Sequence, residues 1–359
     1  MDGSFWSGRK VLITGHTGFK GSWLSIWLNT LGAQVSGLAL PPDPSSLFSL
    51  ANVEELVNSV YVDIRDLNAV QTALVKIQPE IVIHLAAQPL VRESYLNPIE
   101  TLETNIMGTA HLLEAIRVIP SIRSFVNVTT DKVYENKEWV WGYRETDSLG
   151  GYDPYSVSKA CSELITHAYR QSFFFHKDSH LGRVAIATAR AGNVIGGGDA
   201  AKDRLVPDTI TALRKHEEVI LRNPHAVRPW QHVLDPLHGY LMLAEHLYKD
   251  GAKYAKSWNF GPLDNNAKTV QWVVEYLFQH WGSTHSIQVS EEENPHETHQ
   301  LRLDCSQAIA ELGWYPRWEI ETSLDKILEW NRLVDDGASP RSVCVKQIQE
   351  YMQTEVKQI

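Results

Sequence analysis

A short strand pattern at residues 10–14 runs directly into glycines at every third position, Gly15, Gly18 and Gly21, and then into a helical apolar pattern at residues 22–31 closed by Gly32. Glycines so spaced permit a tight turn, close packing of helix on strand, and approach of a pyrophosphate to backbone N–H groups at the electropositive helix start. The spacing alone fits any strand-to-helix turn; its place between a strand and a helix points to a dinucleotide. Strand patterns recur at residues 35–40, 59–62, 81–85, 125–128 and 184–190, with helical patterns at 67–76, 99–117 and 156–171. Such alternation predicts βαβ units and therefore an α/β fold, a doubly wound parallel sheet of the Rossmann type with its ligands at the carboxyl ends of the strands. Beyond Arg190 the alternation gives way to Gly196-Gly197-Gly198-Asp199 and mixed segments, which predicts a smaller, discontinuous C-terminal substrate domain. The expected division is 1–193, with 229–260 returning to it, against 194–228 and 261–359.

Two motifs carry the chemistry. Tyr155 and Lys159 lie four residues apart in a helical stretch, on one face, where an ammonium can lower a phenol pKa and favour proton acceptance. That suits alcohol oxidation. Thr129-Thr130-Asp131-Lys132-Val133-Tyr134 follows the buried-strand pattern at 125–128, which delivers polar side chains to the strand's carboxyl end. Oxidation alone needs neither Asp131 nor Lys132. Asp63-Ile64 offers a carboxylate for an adenine amino group and an apolar packing surface, or else a helix cap. The position at the end of the second strand, where an acid would hold the NAD ribose, is apolar Leu40; Asp43 comes late, and no arginine is present for a 2′-phosphate. NAD is favoured over NADP on that ground.

Composition narrows the partners. The 359 residues carry 43 acidic and 33 basic side chains, a formal charge of -10, which repels nucleic acid and anionic membranes at long range. Anionic ligands then require local cations. Cys161, Cys305 and Cys344 match neither a disulfide framework nor a zinc motif, so no metal is expected and a reducing cytoplasm is the simplest compartment. The first residues lack a basic segment followed by an apolar one, and no apolar run is long enough to cross a bilayer, so a soluble, unprocessed chain is expected. Twelve tryptophans fit core packing by default, although Trp139 and Trp141, between the two motifs, can line a pocket. Residues 342–359 read as an amphipathic helix that caps the fold or joins an interface.

The glycine turn, Asp63-Ile64, His84-Leu85-Ala86-Ala87-Gln88, Glu103-Thr104-Asn105, the Thr-Asp-Lys strand end, the Tyr-Lys helix, Asn193, Arg228, Asn259 and Glu311-Leu312-Gly313-Trp314 together resemble the extended short-chain dehydrogenase/reductases. Within that group the chain resembles the nucleotide-sugar 4,6-dehydratases; epimerases and reductases of the same fold share most of these residues. The resemblance implies an NAD-dependent lyase, with Tyr155, Lys159 and Thr130 at the C4 hydroxyl of a hexose, Asp131 as the acid for water loss from C6, and a base after it. In the thymidine-diphosphate-glucose enzymes that base is a glutamate; here it is Lys132, as in the branch acting on CDP-glucose. Lys132 is otherwise an exposed lysine paired with Asp131. Gly15, Thr17, Gly18, Phe19, Gly21, Asp63, Ile64, Leu85, Ala86, Ala87, Tyr155 and Lys159 are implied for NAD. Gln88, Asn193, Arg204, Leu205, Arg228 and Asn259 are implied for the substrate, with Arg228 gripping phosphate and Arg204 and Leu205 over the base. His84 reads as structural, and His296 and His299 as surface residues. The family also implies a homodimer through the helices at 99–117 and 156–171, and a product destined for deoxysugars of surface polysaccharide such as O-antigen.

Overall fold

The computed structural model describes residues 2–174, 184–263, 267–282, 287–289 and 301–355. In chain order the strands are β1 (Lys10–Thr14), β2 (Gln34–Ala39), β3 (Asn58–Tyr61), β4 (Ile81–His84), β5 (Ser124–Val128), β6 (Ala185–Ala191), β7 (Asn193–Ile195), β8 (Val219–Leu221), β9 (Val227–His232), β10 (Ser257–Phe260), β11 (Ala267–Thr269) and β12 (Ile287–Val289). Seven of them form one sheet in the order β10-β6-β5-β4-β1-β2-β3, every neighbouring pair parallel. Val11 of β1 pairs with Val35 on one side and Ile81 on the other. Strand order reverses there, which opens a crevice at the carboxyl ends. β4, β5 and β6 are buried throughout, as a parallel sheet covered on both faces requires.

The expected helices are present with shifted ends. The first runs Phe19–Thr30, three residues earlier than its apolar pattern, because Gly18 serves as its N-cap. The helix expected at 156–171 begins at Pro154, with the Asp153 side chain accepting from Ser156 N and proline at the first position. The helix expected at 99–117 is present as Pro98–Leu102, Glu103–Met107 and Gly108–Ile116 in unbroken succession, the middle segment a turn of wider radius. A Cβ on Gly108 would lie 2.5 Å from Ile64 Cδ1, so this helix sits hard against the third strand's exit.

β7, β9 and β11 make a small second sheet, and β8 pairs with β12. Helices Leu205–Lys215, Val270–Trp281 and Ile320–Asp335 pack a separate apolar core over these strands. Leu301, Leu303, Trp314 and Trp318 share the core of the large sheet, as do Val343, Ile348 and Tyr351 of helix Pro340–Gln353. The physical cause is one buried polar knot: Tyr351 donates to Asp235 Oδ1 at 2.8 Å, Trp314 Nε1 donates to Asp235 O at 3.1 Å, and Arg317 binds the carbonyls of Tyr351, Met352 and Thr354. The amphipathic tail thus caps the fold; residues 356–359 and the histidines at 296 and 299 lie outside the described residues. Among the described residues no helix is long and apolar enough to cross a membrane, and no cluster of three His, Cys, Asp or Glu could hold a metal. All three cysteines are free.

Candidate active site

The carboxyl ends of β1, β4, β5 and β6 open into one cavity of about 920 Å³ that extends to the second lobe. Its floor is the glycine turn. Gly15 has φ of +74°, and a Cβ there would lie 2.7 Å from Ala86 N; a Cβ on Gly21 would lie 2.2 Å from Gly15 O. Only glycine permits this approach of turn, helix and β4 exit. The turn is tied to β4 by Thr14, whose Oγ1 meets His84 Nδ1 at 2.6 Å and accepts from Leu85 N and Ala86 N at 3.2 Å each. His84 Nε2 meets Thr109 Oγ1 at 3.1 Å, and burial pushes the imidazole down to about 3, so His84 is a neutral structural link. Gly15, Thr17, Gly18, Phe19, Gly21, Asp63, Ile64, Leu85, Ala86 and Ala87 all line the cavity. Asp63 is clasped by Arg65 at 2.6 Å, and that hydrogen bond holds its carboxyl below the usual range. Asp43 does not line the cavity; its carboxylate accepts from Ser45 N and Oγ.

At the exit of β5, Thr130 Oγ1 donates to Asp131 Oδ1 at 3.0 Å. The other carboxylate oxygen, Oδ2, is buried with no hydrogen-bond partner. Burial raises the Asp131 pKa, against the opposing charges of Lys132, Arg228 and Lys20 and the hydrogen bond from Thr130. A buried carboxyl whose pKa is raised and one of whose oxygens has no protein partner is suited to give a proton to a ligand group. Lys132 is half-buried on the same wall, and among the described residues no ion pair joins it to Asp131.

Tyr155 and Lys159 face the same cavity from helix Pro154–Tyr169. Their coupling differs from the sequence expectation. Burial pushes the Tyr155 phenol up to about 12, with the Thr130 hydrogen bond and the charge of Arg204 acting against it. Burial likewise pulls Lys159 down to about 8, and its Nζ donates to Val128 O at 3.0 Å. A shared face does not put the ammonium onto the phenol: here it anchors the helix to β5. Further bonds fix that helix, from Asn105 Nδ2 to Ser158 Oγ at 2.8 Å and from Asn127 Nδ2 to Ser162 and Thr166 at 2.9 Å each.

The residues expected around the substrate separate into two groups. Asn193, Arg204, Leu205 and Arg228 line the cavity, with Arg204 bound to Asp199 at 2.8 Å. Gln88 also lines it, but its amide is committed to Leu90 and Thr101. Asn259 requires correction: it is wholly buried away from the cavity, donating to the carbonyls of Tyr143 and Asp304 and accepting from Tyr134. Its partners are distant in sequence, so its place after a strand misled. Sequence reasoning also passed over Lys20, inside the glycine turn, and Arg222 and Asp203, whose 2.9 Å pair extends to Arg92 at 3.2 Å across the lobes. Trp139 lies between Trp141 and Tyr143, with ring centroids 5.6 and 5.0 Å away and planes tilted by 40° and 32°, outside the cavity lining.

A seven-stranded parallel sheet, a glycine turn at its first strand and a Tyr-Lys helix beside a Thr-Asp strand end define an extended short-chain dehydrogenase/reductase. The chain belongs to the family described as GDP-mannose 4,6 dehydratase, whose model matches residues 12–327. It is 49% identical to a CDP-glucose 4,6-dehydratase of Salmonella typhimurium over 353 residues, 98% of each chain. Among solved structures it resembles the dTDP-glucose 4,6-dehydratase of Bacillus anthracis in complex with NAD, at 21% identity and a TM-score of 0.77 over 93% of this chain and all of that one. It also resembles MoeE5 in complex with UDP-glucose and NAD, at 25% identity and a TM-score of 0.76 over 90% of this chain and 99% of that one.

Proposed function

We propose that this chain is an NAD-dependent lyase that removes water from CDP-D-glucose to give CDP-4-keto-6-deoxy-D-glucose. The observation that carries the reading is Asp131, a buried acid with an unpartnered oxygen in the same cavity as Tyr155. The near full-length relationship to the Salmonella enzyme supports the cytidine nucleotide. The glycine turn fits a dinucleotide, because Gly15, Gly18 and Gly21 line the cavity at the start of a helix, where Gly15 and Gly21 also let turn, helix and β4 exit pack closely. Gly15, Thr17, Gly18, Phe19 and Gly21 would hold NAD together with Asp63, Ile64, Leu85, Ala86, Ala87, Tyr155 and Lys159. Bound NAD supplies hydride acceptance at C4 and its return at C6, so no external reductant is consumed.

The chain's own groups move the protons. Tyr155 acts in its phenolate form, which the positive charges of bound NAD and of Lys159 would favour over the buried phenol, and so accepts the C4 hydroxyl proton, oriented by Thr130. The resulting ketone acidifies C5–H, which Lys132 removes as Asp131 gives its proton to the departing C6 oxygen. Lys132 then returns its proton to C5. One proton is left on Tyr155 and one is missing from Asp131; Thr130, bonded to Asp131 at 3.0 Å and beside the Tyr155 hydroxyl, gives it a path back. Arg228 supplies the cation that a diphosphate needs in an acidic protein, with Arg204 and Leu205 over the base.

Incubation with CDP-, dTDP-, GDP- and UDP-hexoses, followed by mass spectrometry, tests the reading. Loss of one water from CDP-glucose above the others is expected; no loss with any of them sinks it, and loss from another nucleotide alone moves the specificity. Lys132→Ala should preserve C4 oxidation while slowing exchange of the C5 hydrogen with solvent deuterium by roughly 10²–10⁴-fold. Unchanged exchange would return Lys132 to a surface charge.

The assembly that fits this surface is a homodimer. Leu96 and Ile99 are 75% and 66% exposed, and Met107 and Leu164 are also exposed, on adjoining helices of one face. Apolar exposure gathered in this way marks an interaction surface.

A further inference from the structure

Lys20 is used by no step above. It stands between Phe19 and Gly21, in the first turn of helix Phe19–Thr30, and lines the cavity. The charged groups that act on it come from three other elements: Asp131 at the exit of β5, Lys159 of the tyrosine helix, and Arg204 with Asp199 at the entry to helix Leu205–Lys215. Its ammonium therefore lies where the two lobes face each other.

Protein anions do not satisfy it. Asp199 is already bound to Arg204 at 2.8 Å, its side chain only 4% exposed, and burial holds Asp131 toward its neutral acid form. Among the described residues no hydrogen bond or ion pair takes the Lys20 ammonium. The groups acting on Lys20 or Asp131 comprise Lys20, Lys132, Lys159, Arg204 and Arg228 against Asp131 and Asp199. Burial, with the like charges of Arg204 and Lys159, pulls Lys20 down to about 8. A half-buried cation without a protein partner is stabilised when a ligand brings the anion.

We propose that Lys20 binds the sugar-side phosphate of the nucleoside diphosphate, seating the hexose against Asp131 and Tyr155. This rests on the nucleotide-sugar reading of the cavity. The sugar-side phosphate is the anion that must lie closest to the reacting hexose, and Lys20 shares its surroundings with Asp131 and Lys159 on that side. The glycine turn thus serves two ligands, its backbone facing one diphosphate and its lysine side chain the other.

Calorimetric titration of CDP, CMP and NAD into wild type, Lys20→Met and Lys20→Arg tests this. Lys20→Met should weaken CDP by roughly ten- to a hundredfold, leave CMP and NAD unchanged, and Lys20→Arg should recover most of the loss. Unaltered CMP binding also shows that the variant is folded. Equal weakening of CDP and CMP, or a loss confined to NAD, overturns the assignment. Wild type that binds no CDP overturns the nucleotide-sugar reading itself, whereas wild-type binding with an unchanged CDP to CMP ratio in Lys20→Met removes Lys20 alone.

Discussion

Asp131→Asn is expected to slow water loss from CDP-glucose by roughly 10²–10⁴-fold while leaving C4 oxidation in place. Asparagine keeps the shape and can still accept from Thr130, so the Thr130–Asp131 contact at 3.0 Å survives. What it removes is the proton. Burial raises the Asp131 pKa, keeping the acid form available, and its Oδ2 has no other partner. In a single turnover the variant should therefore accumulate reduced cofactor and the 4-keto hexose without the deoxy product. The pH profile supplies a second readout. A required acid is present below its pKa and lost above it, so wild-type turnover should decline as pH rises through the Asp131 pKa, and that limb should vanish in the variant. Water loss at the wild-type rate would show that Asp131 is not the acid and would favour an epimerase or reductase.

Glu163→Ala is expected to destabilise the fold by about 3–5 kcal/mol, measured by urea unfolding, because it strands a buried guanidinium. Glu163 and Arg190 are joined at 2.9 Å with side chains 2% and 3% exposed. Thr129 and Thr188 each donate to the same carboxylate at 2.6 Å, and Arg190 continues to Tyr134 at 2.7 Å. Burial pushes Glu163 up, but Arg190 and these hydrogen bonds overcome it, leaving its pKa below the ordinary value. The sign follows: a depressed carboxylate pKa contributes stability above the unfolded-state value that is lost as pH falls through the folded one. The variant should lack that acid-side loss. A change below about 1 kcal/mol would mean that water reaches and solvates Arg190.

Much of this was legible in the sequence because it is written locally. A turn with three spaced glycines, alternating strand and helix patterns, and a tyrosine and lysine four apart are properties of neighbouring residues, and each leads to the cavity. What the sequence hid is written across long separations. Asn259 looked like a ligand donor, but its partners are Tyr134, Tyr143 and Asp304. Gln88 lies in the right loop with its amide spent on Leu90 and Thr101. The phenol of Tyr155 is governed by burial rather than by Lys159, which helical spacing cannot report. Lys20 was concealed by its own motif, since the glycines around it explain the turn without it.

The knot of Asp235, Arg317 and Tyr351 also sets an order of events during synthesis. The helix that opens from the glycine turn is made well before Tyr351, yet Trp27 of that helix packs edge-on against Tyr351 with ring centroids 5.7 Å apart. N-terminal segments generally fold first as a chain leaves the ribosome. Here the cover for that helix comes from far later in the chain, so the nucleotide-binding half stays open along one flank until residue 351 has been made and has left the ribosome.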